Sequence, residues 1–332
     1  MPTLLTRRVL ISTVAVAGWG SAIADKAALR HQVVVDPGFS LTGRTAAGCS
    51  LSGFNPGVAT LATTQDLQAR LGQPPKSDRM FCSGTESPAK HVSHVNNYCY
   101  PNGVLPVISV KNASDTAIVT SIRSMKGPGL LIIHHEPFPN DGGGFSAEAP
   151  APGDWADMQV HGAKVLIPAI NKGRLAKDKW AMCGAFHGYA FKWDGTSVTY
   201  AAKFKSLGGP AAYRLTEVFN LPNYIPGVDA YDSGTNPTAD PLGGAAGPAE
   251  RMEALWQFCV KVAKRDPATL RVAFPEFGTY ADGNFAEGCQ WLATKRTHVV
   301  AACAWDHAVN ANGADTSLTG AKLSAFRVLL CA

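Results

Sequence analysis

Residues 129–137 have the sequence Gly-Leu-Leu-Ile-Ile-His-His-Glu-Pro, a short apolar run that ends in polar side chains. Because the run is continuous rather than alternating, it is typical of a parallel strand that is covered on both faces. A carboxylate at the carboxyl end of such a strand points into the cleft that the following loops make. This stretch therefore predicts a buried strand that presents Glu136 to a functional site.

Seven further apolar runs follow the same pattern and are separated by helix-length intervals. The eight runs together span residues 48–54, 79–82, 105–110, 130–134, 180–186, 225–231, 272–277 and 299–305. Helical patterns lie between them, and cap-like residues such as Thr64 and Ser114 begin two of these patterns. The alternation predicts an α/β fold, a single (β/α)8 TIM barrel over residues 25–332, with an N-terminal arm and long loops after strands four and six. A doubly wound open sheet is the alternative, but no Gly-rich phosphate-binding turn follows the first run.

The composition fits a globular protein and excludes one class of partner. The chain has 332 residues, of which 46% are hydrophobic and 17% charged, so it can bury a large core. Its net charge of +5 is small for this length, and the basic residues are scattered. Since no basic stripe with interleaved aromatic residues occurs, we expect no nucleic-acid partner.

The amino terminus has the pattern of an export signal. Arg7 and Arg8 precede an apolar stretch over residues 9–23, and Ala-Ile-Ala at 22–24 fits a cleavage site between small residues. The basic pair has some resemblance to a twin-arginine signal. We predict that residues 1–24 are removed and that the mature chain is extracellular or periplasmic, with no membrane partner. An uncleaved membrane anchor is the alternative.

Eight cysteines suit an exported chain, since disulfides form in oxidising compartments. No two of them have the close spacing of a zinc knuckle or a redox motif. We predict disulfides in general, with Cys82–Cys99 as the local pair and Cys49–Cys331 as a bridge between the chain ends. Cys183 and Cys303 lie inside apolar runs and are either paired or buried free thiols. The full set is Cys49, Cys82, Cys99, Cys183, Cys259, Cys289, Cys303 and Cys331.

A second glutamate lies, like Glu136, near the carboxyl end of an apolar run. Residues 271–278, Arg-Val-Ala-Phe-Pro-Glu-Phe-Gly, place Glu276 near the end of another apolar run, 140 positions further along. Two carboxylates on different strands can converge on one bond. Hydrolysis of a glycosidic bond requires this arrangement, with a proton donor on one side and a nucleophile or an activated water on the other.

Three short motifs in this order resemble glycoside hydrolase family 26. They are His-Glu at 135–136, Val-Asp-Ala-Tyr at 228–231 and Glu-Phe-Gly at 276–278, and the resemblance covers about residues 48–310. That family belongs to clan A of the glycosidases, which are retaining (β/α)8 barrels with catalytic glutamates at the ends of strands four and seven. Counted along the eight runs, Glu136 ends the fourth and Glu276 ends the seventh.

The resemblance implies a role for each matching residue. Glu136 would be the general acid/base, and Glu276 the nucleophile that forms the glycosyl-enzyme. His135 would support the acid/base or bind the sugar by a hydrogen bond. The hydroxyl of Tyr231 would orient the nucleophile, and Trp305 would stack under a sugar ring.

Other interpretations of these residues stay open at this stage. The two glutamates could be ion-pair partners at the barrel end, and Trp305 could be a core residue. Asp306, Asp229 and His187 complete the predicted substrate-binding set, although Asp229 could be structural and His187 could only cap its strand. A metal site at 134–136 is disfavoured, because adjacent side chains on a strand point to opposite faces. We expect neither a metal nor an organic cofactor.

The sequence thus predicts a secreted, monomeric, retaining glycoside hydrolase that cleaves a β-linked polysaccharide in endo fashion. The substrate would be mannan-like or another cell-wall glycan. Members of glycoside hydrolase family 26 often have a Trp-rich segment after His-Glu, whereas residues 138–143 here are Phe-Pro-Asn-Asp-Gly-Gly. The alternative is a barrel that binds carbohydrate or cell wall without catalysis.

Overall fold

Eight parallel strands form the centre of the fold, and they lie where the apolar runs predict them. The computed structural model describes residues 49–52, 67–137, 149–231, 247–279, 282–306 and 317–331. All of these belong to one unit, Asp36–Ala332. The predicted export signal, the N-terminal arm, and residues 138–148 and 232–246 of the two long loops lie outside the described residues.

Six of the barrel strands are single segments. In chain order the first four and the last two are Cys49–Ser52, Ser77–Cys82, Leu105–Val110, Gly129–Ile133, Val272–Gly278 and Val299–Asp306. The fifth and sixth strands are each interrupted once. The fifth consists of Trp180–Cys183 and Phe186–His187, and the sixth of Tyr224–Ile225 and Gly227–Tyr231.

Hydrogen-bonded strand pairing runs in a complete circle. It passes in parallel from the sixth strand through the seventh, eighth, first, second, third and fourth to the fifth. The circle closes because the first segments of the fifth and sixth strands pair with each other, as do their second segments. At this closure a Cβ atom on Gly227 would lie 2.1 Å from the carbonyl oxygen of Gly184, so only glycine fits. The predicted barrel is confirmed, and the open-sheet alternative is wrong.

An apolar layer lies on each side of the barrel wall. Inside the barrel, small and branched side chains form one buried cluster, which includes Val107, Ile132, Ala181 and Ala301. A second, larger cluster fills the space between the strands and the surrounding helices. This packing explains why the strand runs are apolar at consecutive positions.

Helical segments cover the outside of the barrel, and most coincide with predicted helical patterns. The α-helices outside the connection between the fifth and sixth strands are Val92–His94, Asp115–Arg123, Pro152–His161, Ile167–Asn171, Pro248–Gln257, Asp282–Thr294 and Gly320–Cys331, and residues 67–71 are also helical. Short 3₁₀ segments occur at Pro88–His91, Ala176–Asp178 and Gly188–Ala190, and π-helical turns at Val95–Cys99, Gly162–Leu166 and Phe258–Val262. The predicted cap at Ser114 is confirmed, since its Oγ accepts a hydrogen bond from the backbone N–H of Ala117.

The connection between the fifth and sixth strands contains elements that the sequence analysis did not predict. They are a hairpin of Phe191–Trp193 with Val198–Tyr200, and the helices Ala202–Ser206, Gly209–Ala212 and Leu215–Val218. Helices of four or five residues are too short to show a hydrophobic period. Aromatic packing supports them instead, because the rings of Phe204 and Tyr213 both pack against Phe186.

The predicted disulfide between Cys82 and Cys99 is wrong. Both are buried free thiols, as are Cys183, Cys259 and Cys289, and Cys303 is buried as well. Each lies in an apolar cluster, where a thiol packs as a small hydrophobic side chain. The side chains of the other proposed pair, Cys49 and Cys331, lie outside the described part of the chain.

Among the described helices, none combines the length and the apolar character that crossing a bilayer requires.

A buried histidine next to the second strand makes the stability of the fold depend on pH. The Nε2–H of His91 donates to the carbonyl oxygen of Phe81 at 3.0 Å, and burial lowers the pKa of His91 to about 4. Below pH 6.5 His91 therefore binds a proton in the unfolded chain but not in the folded chain. The free energy of unfolding should fall by up to about 3 kcal/mol between pH 6.5 and 4 through this group alone.

Substituting His91→Gln should flatten that pH dependence, because the amide does not titrate and can still donate to the carbonyl. Urea unfolding at a series of pH values measures the slope. The exposed His161 serves as the control, since His161→Gln should leave the slope as in the wild type. Equal slopes for wild type and His91→Gln would contradict the prediction.

Candidate active site

Glu276 is held from two sides near the end of the seventh strand. The hydroxyl of Tyr231 donates to its Oε2 at 2.7 Å, and Nη1 of Arg79 lies 2.9 Å from its Oε1. Strand register explains the first contact, because Tyr231 pairs with Gly278 and Asp229 pairs with Glu276 across the sixth and seventh strands. The side chain of Glu276 is only 10% exposed. Its position is therefore fixed by a cation and a phenol.

Arg79 is the central cation of the site, and the sequence analysis did not identify it. From the second strand it reaches across the barrel interior to Oδ1 of Asp229 at 3.1 Å as well as to Glu276. Its Nε and Nη2 donate to the hydroxyl of Ser109, and its guanidinium lies 4.6 Å from the ring centre of Phe81. An arginine inside an apolar barrel strand was the signal that could have revealed it, since a buried cation needs an anion.

Arg79 has one positive charge for two buried carboxylates. Burial raises the pKa of Asp229 well above its ordinary value, and it also raises the pKa of Glu276, while Arg79 acts against both shifts. Asp229 is the deeper of the two, with a fully buried side chain, and only Glu276 receives the Tyr231 hydroxyl. When the pair holds a proton, that proton therefore belongs on Asp229, which leaves Arg79 to stabilise the Glu276 carboxylate.

Glu136 follows the fourth strand in a strained backbone segment. Both His134 and Glu136 have left-handed backbone conformations, with φ values of 53° and 50°. Such conformations are uncommon for residues other than glycine and persist where surrounding contacts enforce them. Here the indole N–H of Trp155 donates to the carbonyl of His134, and the N–H of Glu136 donates to the carbonyl of Ala185. The direction of the Glu136 side chain is thus set by the fold.

The Glu136 carboxylate contacts an imidazole at the carboxyl end of the barrel. Nδ1 of His187 lies 3.3 Å from Oε1 of Glu136, whose side chain is 23% exposed. Burial raises the pKa of Glu136, but the interaction with His187 and the positive charge of Arg79 outweigh it and bring the value to about 2. The charge of Glu136 in turn raises the pKa of Glu276. The two predicted carboxylates therefore lie at the same end of the barrel, near enough for one to affect the ionisation of the other.

Aromatic side chains lie beside the carboxylates. The ring of Phe81 makes edge contacts with His135 and with Trp305, at centroid distances of 5.5 and 6.4 Å. Burial lowers the pKa of His135 to about 3, so this ring is neutral at ordinary pH. Its Nδ1 is buried without a hydrogen-bond partner among the described residues, and it can bind a polar ligand. Trp305 is half-buried, which leaves part of its ring accessible.

The structure brings most of the predicted site residues together. Asp229 is the one whose predicted contact with substrate has the least support, because it is buried in an ion pair with Arg79. His187 contacts Glu136 rather than only capping its strand. The side chain of Asp306 lies outside what the structure describes. The roles of all these residues in catalysis or binding stay predictions.

Comparisons with known proteins identify structures of similar fold. No protein-family model matches the chain, and no curated protein matches it. A broad specificity endoglucanase from Clostridium acetobutylicum is 13% identical, with 86% of this chain and 97% of that chain covered at a TM-score of 0.47. A mannanase from Bacillus subtilis is 13% identical, with 84% of each chain covered at a TM-score of 0.46.

A modular endo-β-1,4-mannanase from Cellulomonas fimi is also 13% identical, with 86% of this chain and 71% of that chain covered at a TM-score of 0.47. It is a glycoside hydrolase family 26 mannanase.

Proposed function

We propose that this protein is a retaining glycoside hydrolase that cleaves a β-linked polysaccharide. The observation that carries the proposal is the pair Glu136 and Glu276, which lie at the carboxyl ends of the fourth and seventh strands in different environments. One carboxylate is fixed by Arg79 and Tyr231, and the other lies beside the imidazole of His187. A double displacement needs one carboxylate that stays ionised and one that exchanges a proton.

Glu276 is the better nucleophile of the two. A nucleophilic carboxylate must be ionised and aimed, and it needs no proton exchange with solvent. The Arg79 guanidinium stabilises the ionised form, while the Tyr231 hydroxyl holds the side chain in one orientation. In the first step a Glu276 oxygen would attack the anomeric carbon as the bond to the leaving oxygen breaks.

Glu136 is the better acid/base, because it is more exposed and lies beside an imidazole. In the free site the contact with His187 at 3.3 Å favours the ionised form of Glu136, whereas burial opposes it. Substrate that displaces water would favour the protonated form of Glu136, because the loss of solvent disfavours the charged carboxylate. Glu136 would then protonate the leaving oxygen, and later take a proton from the water that releases the sugar.

The substrate class rests on the sequence motifs. We propose an endo-acting enzyme for a mannan-like or related cell-wall glycan, with His135 and Trp305 as sugar contacts. The neighbours described above are named mannanase and endoglucanase, and both substrate types therefore belong in a test panel. We also propose that residues 1–24 direct export, which mass spectrometry of the mature amino terminus would test.

The deciding experiment combines a polysaccharide panel with the stereochemistry of the product. Purified protein would be incubated with mannans, β-glucans and other β-linked glycans, and proton NMR would record the anomer released first. Release of the β-anomer would support retention. Release of the α-anomer would contradict the mechanism, and binding to a glycan without hydrolysis would leave a non-catalytic carbohydrate-binding barrel.

Gly278 controls the position of Tyr231. A Cβ atom at this position would lie 2.9 Å from Cε1 of Tyr231 and 3.3 Å from Cβ of Trp305. Gly278→Ala should displace the tyrosine ring and weaken its hydrogen bond to Glu276, with a loss of about tenfold in kcat/KM, equivalent to one charge-assisted hydrogen bond. Gly153→Ala is the matched control, because nothing lies within 4 Å of a Cβ there. Equal kcat/KM for both variants would refute this role of Gly278.

A further inference from the structure

One cluster of metal-ligating side chains lies apart from the paired carboxylates. It consists of Asp78, His94 and Cys99, whose ligand atoms all lie within 4.8 Å of one another. Asp78 precedes Arg79 on the second strand. Since neighbouring side chains on a strand point to opposite faces, Asp78 faces the helices while Arg79 faces the barrel interior. The cluster therefore lies behind the wall that carries the central cation of the site.

A π-helical turn places two of the three residues on the same side of their helix. His94 ends the α-helical segment Val92–His94, and Cys99 ends the π-helical turn Val95–Cys99. The turn is closed by a hydrogen bond from the N–H of Tyr100 to the carbonyl of Val95, which are five residues apart. In an α-helix, residues with this spacing diverge, whereas the wider π-turn brings them back to one face. Such turns occur frequently at functional sites.

Two buried polar atoms in the cluster have no hydrogen-bond partner among the described residues. They are Oδ1 of Asp78 and Nδ1 of His94. The side chain of Asp78 is fully buried, and its other oxygen, Oδ2, lies 2.8 Å from Nε2 of His94. Buried polar atoms nearly always have a partner. Two such atoms beside a buried thiol are more than an isolated Asp–His hydrogen bond explains.

We propose that Asp78, His94 and Cys99 bind Zn²⁺. Carboxylate oxygen, imidazole nitrogen and thiolate sulfur are the ligand types that zinc takes in proteins, and three protein ligands leave a fourth position for water. The Asp78 carboxylate and the Cys99 thiolate would together balance the charge of the ion, which matters in a buried site. The metal would tie the second strand, and with it Arg79, to the helical segment that follows.

The test uses the full chain, stripped of metal by dialysis against a chelator and then titrated with Co²⁺ alone. Cobalt reports on the thiolate through a sulfur-to-metal charge-transfer absorption. We expect saturation at about one Co²⁺ per chain, and we expect Cys99→Ser to lose this absorption. Cys82→Ser is the matched control. Like Cys99, Cys82 is buried, but it lies at the end of the second strand and outside the cluster.

Thermal unfolding gives a second readout on the unmodified chain. Zn²⁺ at a hundredfold excess over its Kd should raise Tm on the order of 5 °C, and the chelator should reverse the rise. The proposal fails if the wild type shows neither saturable cobalt absorption nor a zinc-dependent Tm, whatever the variants do. It also fails if Cys99→Ser keeps the charge-transfer absorption of the wild type.

Discussion

Replacing Glu276 by glutamine is expected to lower kcat on the order of 10⁴-fold, which corresponds to about 5.5 kcal/mol of transition-state stabilisation. The amide keeps the size of the side chain and a hydrogen-bonding oxygen for Tyr231, but it cannot form the covalent intermediate. Initial rates on the best substrate of the panel measure the effect. Glu287→Gln is the control, because Glu287 is an exposed carboxylate on the helix Asp282–Thr294 and should keep full activity.

The smaller variant Glu276→Ala separates the loss of a nucleophile from a loss of fold. It leaves space for azide, which should partly restore turnover of an aryl glycoside with a good leaving group and give a glycosyl azide of inverted configuration. Wild-type turnover in Glu276→Gln would remove this residue as the nucleophile. Rescue of Glu136→Ala with inversion, instead of Glu276→Ala, would exchange the two roles.

Removing Arg79 is expected to affect both stability and pH dependence. Arg79→Met leaves Asp229 and Glu276 buried without their cation, and the free energy of unfolding should fall by about 3–5 kcal/mol. Since Arg79 lowers the pKa of Glu276, its loss should raise that pKa further. Activity that needs ionised Glu276 would then disappear at a higher pH as the solution is acidified. Urea unfolding and the pH profile of kcat/KM measure the two effects.

Two further variants keep this prediction testable if Arg79→Met does not fold. Arg79→Lys retains the positive charge but loses the planar guanidinium with its several donors. This variant should be active, and the acid limb of its kcat/KM pH profile should shift less than that of Arg79→Met. Arg174→Met is the control for losing a partly buried arginine, because Arg174 donates to backbone carbonyls such as those of Ile122 and Met125. It should destabilise the fold without moving the pH profile. An unchanged acid limb in Arg79→Lys and Arg79→Met would refute the role of the cation.

Sequence patterns predicted the barrel well because its strands are buried on both faces. All eight apolar runs correspond to strands, and even the interrupted fifth and sixth strands agree with the predicted ranges to within one residue. The connection between these two strands was not predicted, since it consists of a short hairpin and of helices that are too short to show a period. The disulfide Cys82–Cys99 was predicted wrongly, because cysteine spacing does not distinguish a paired thiol from one packed in an apolar cluster.

By itself the sequence determined the order of strands and helices and the chain positions of Glu136 and Glu276, because local hydrophobic patterns fix where each strand ends. Only the tertiary structure decided which groups surround these carboxylates. Arg79 comes from the second strand and meets Asp229 and Glu276 across the barrel interior, 150 and 197 positions further along the chain. Such a contact depends on the closure of the barrel, and no local pattern encodes it.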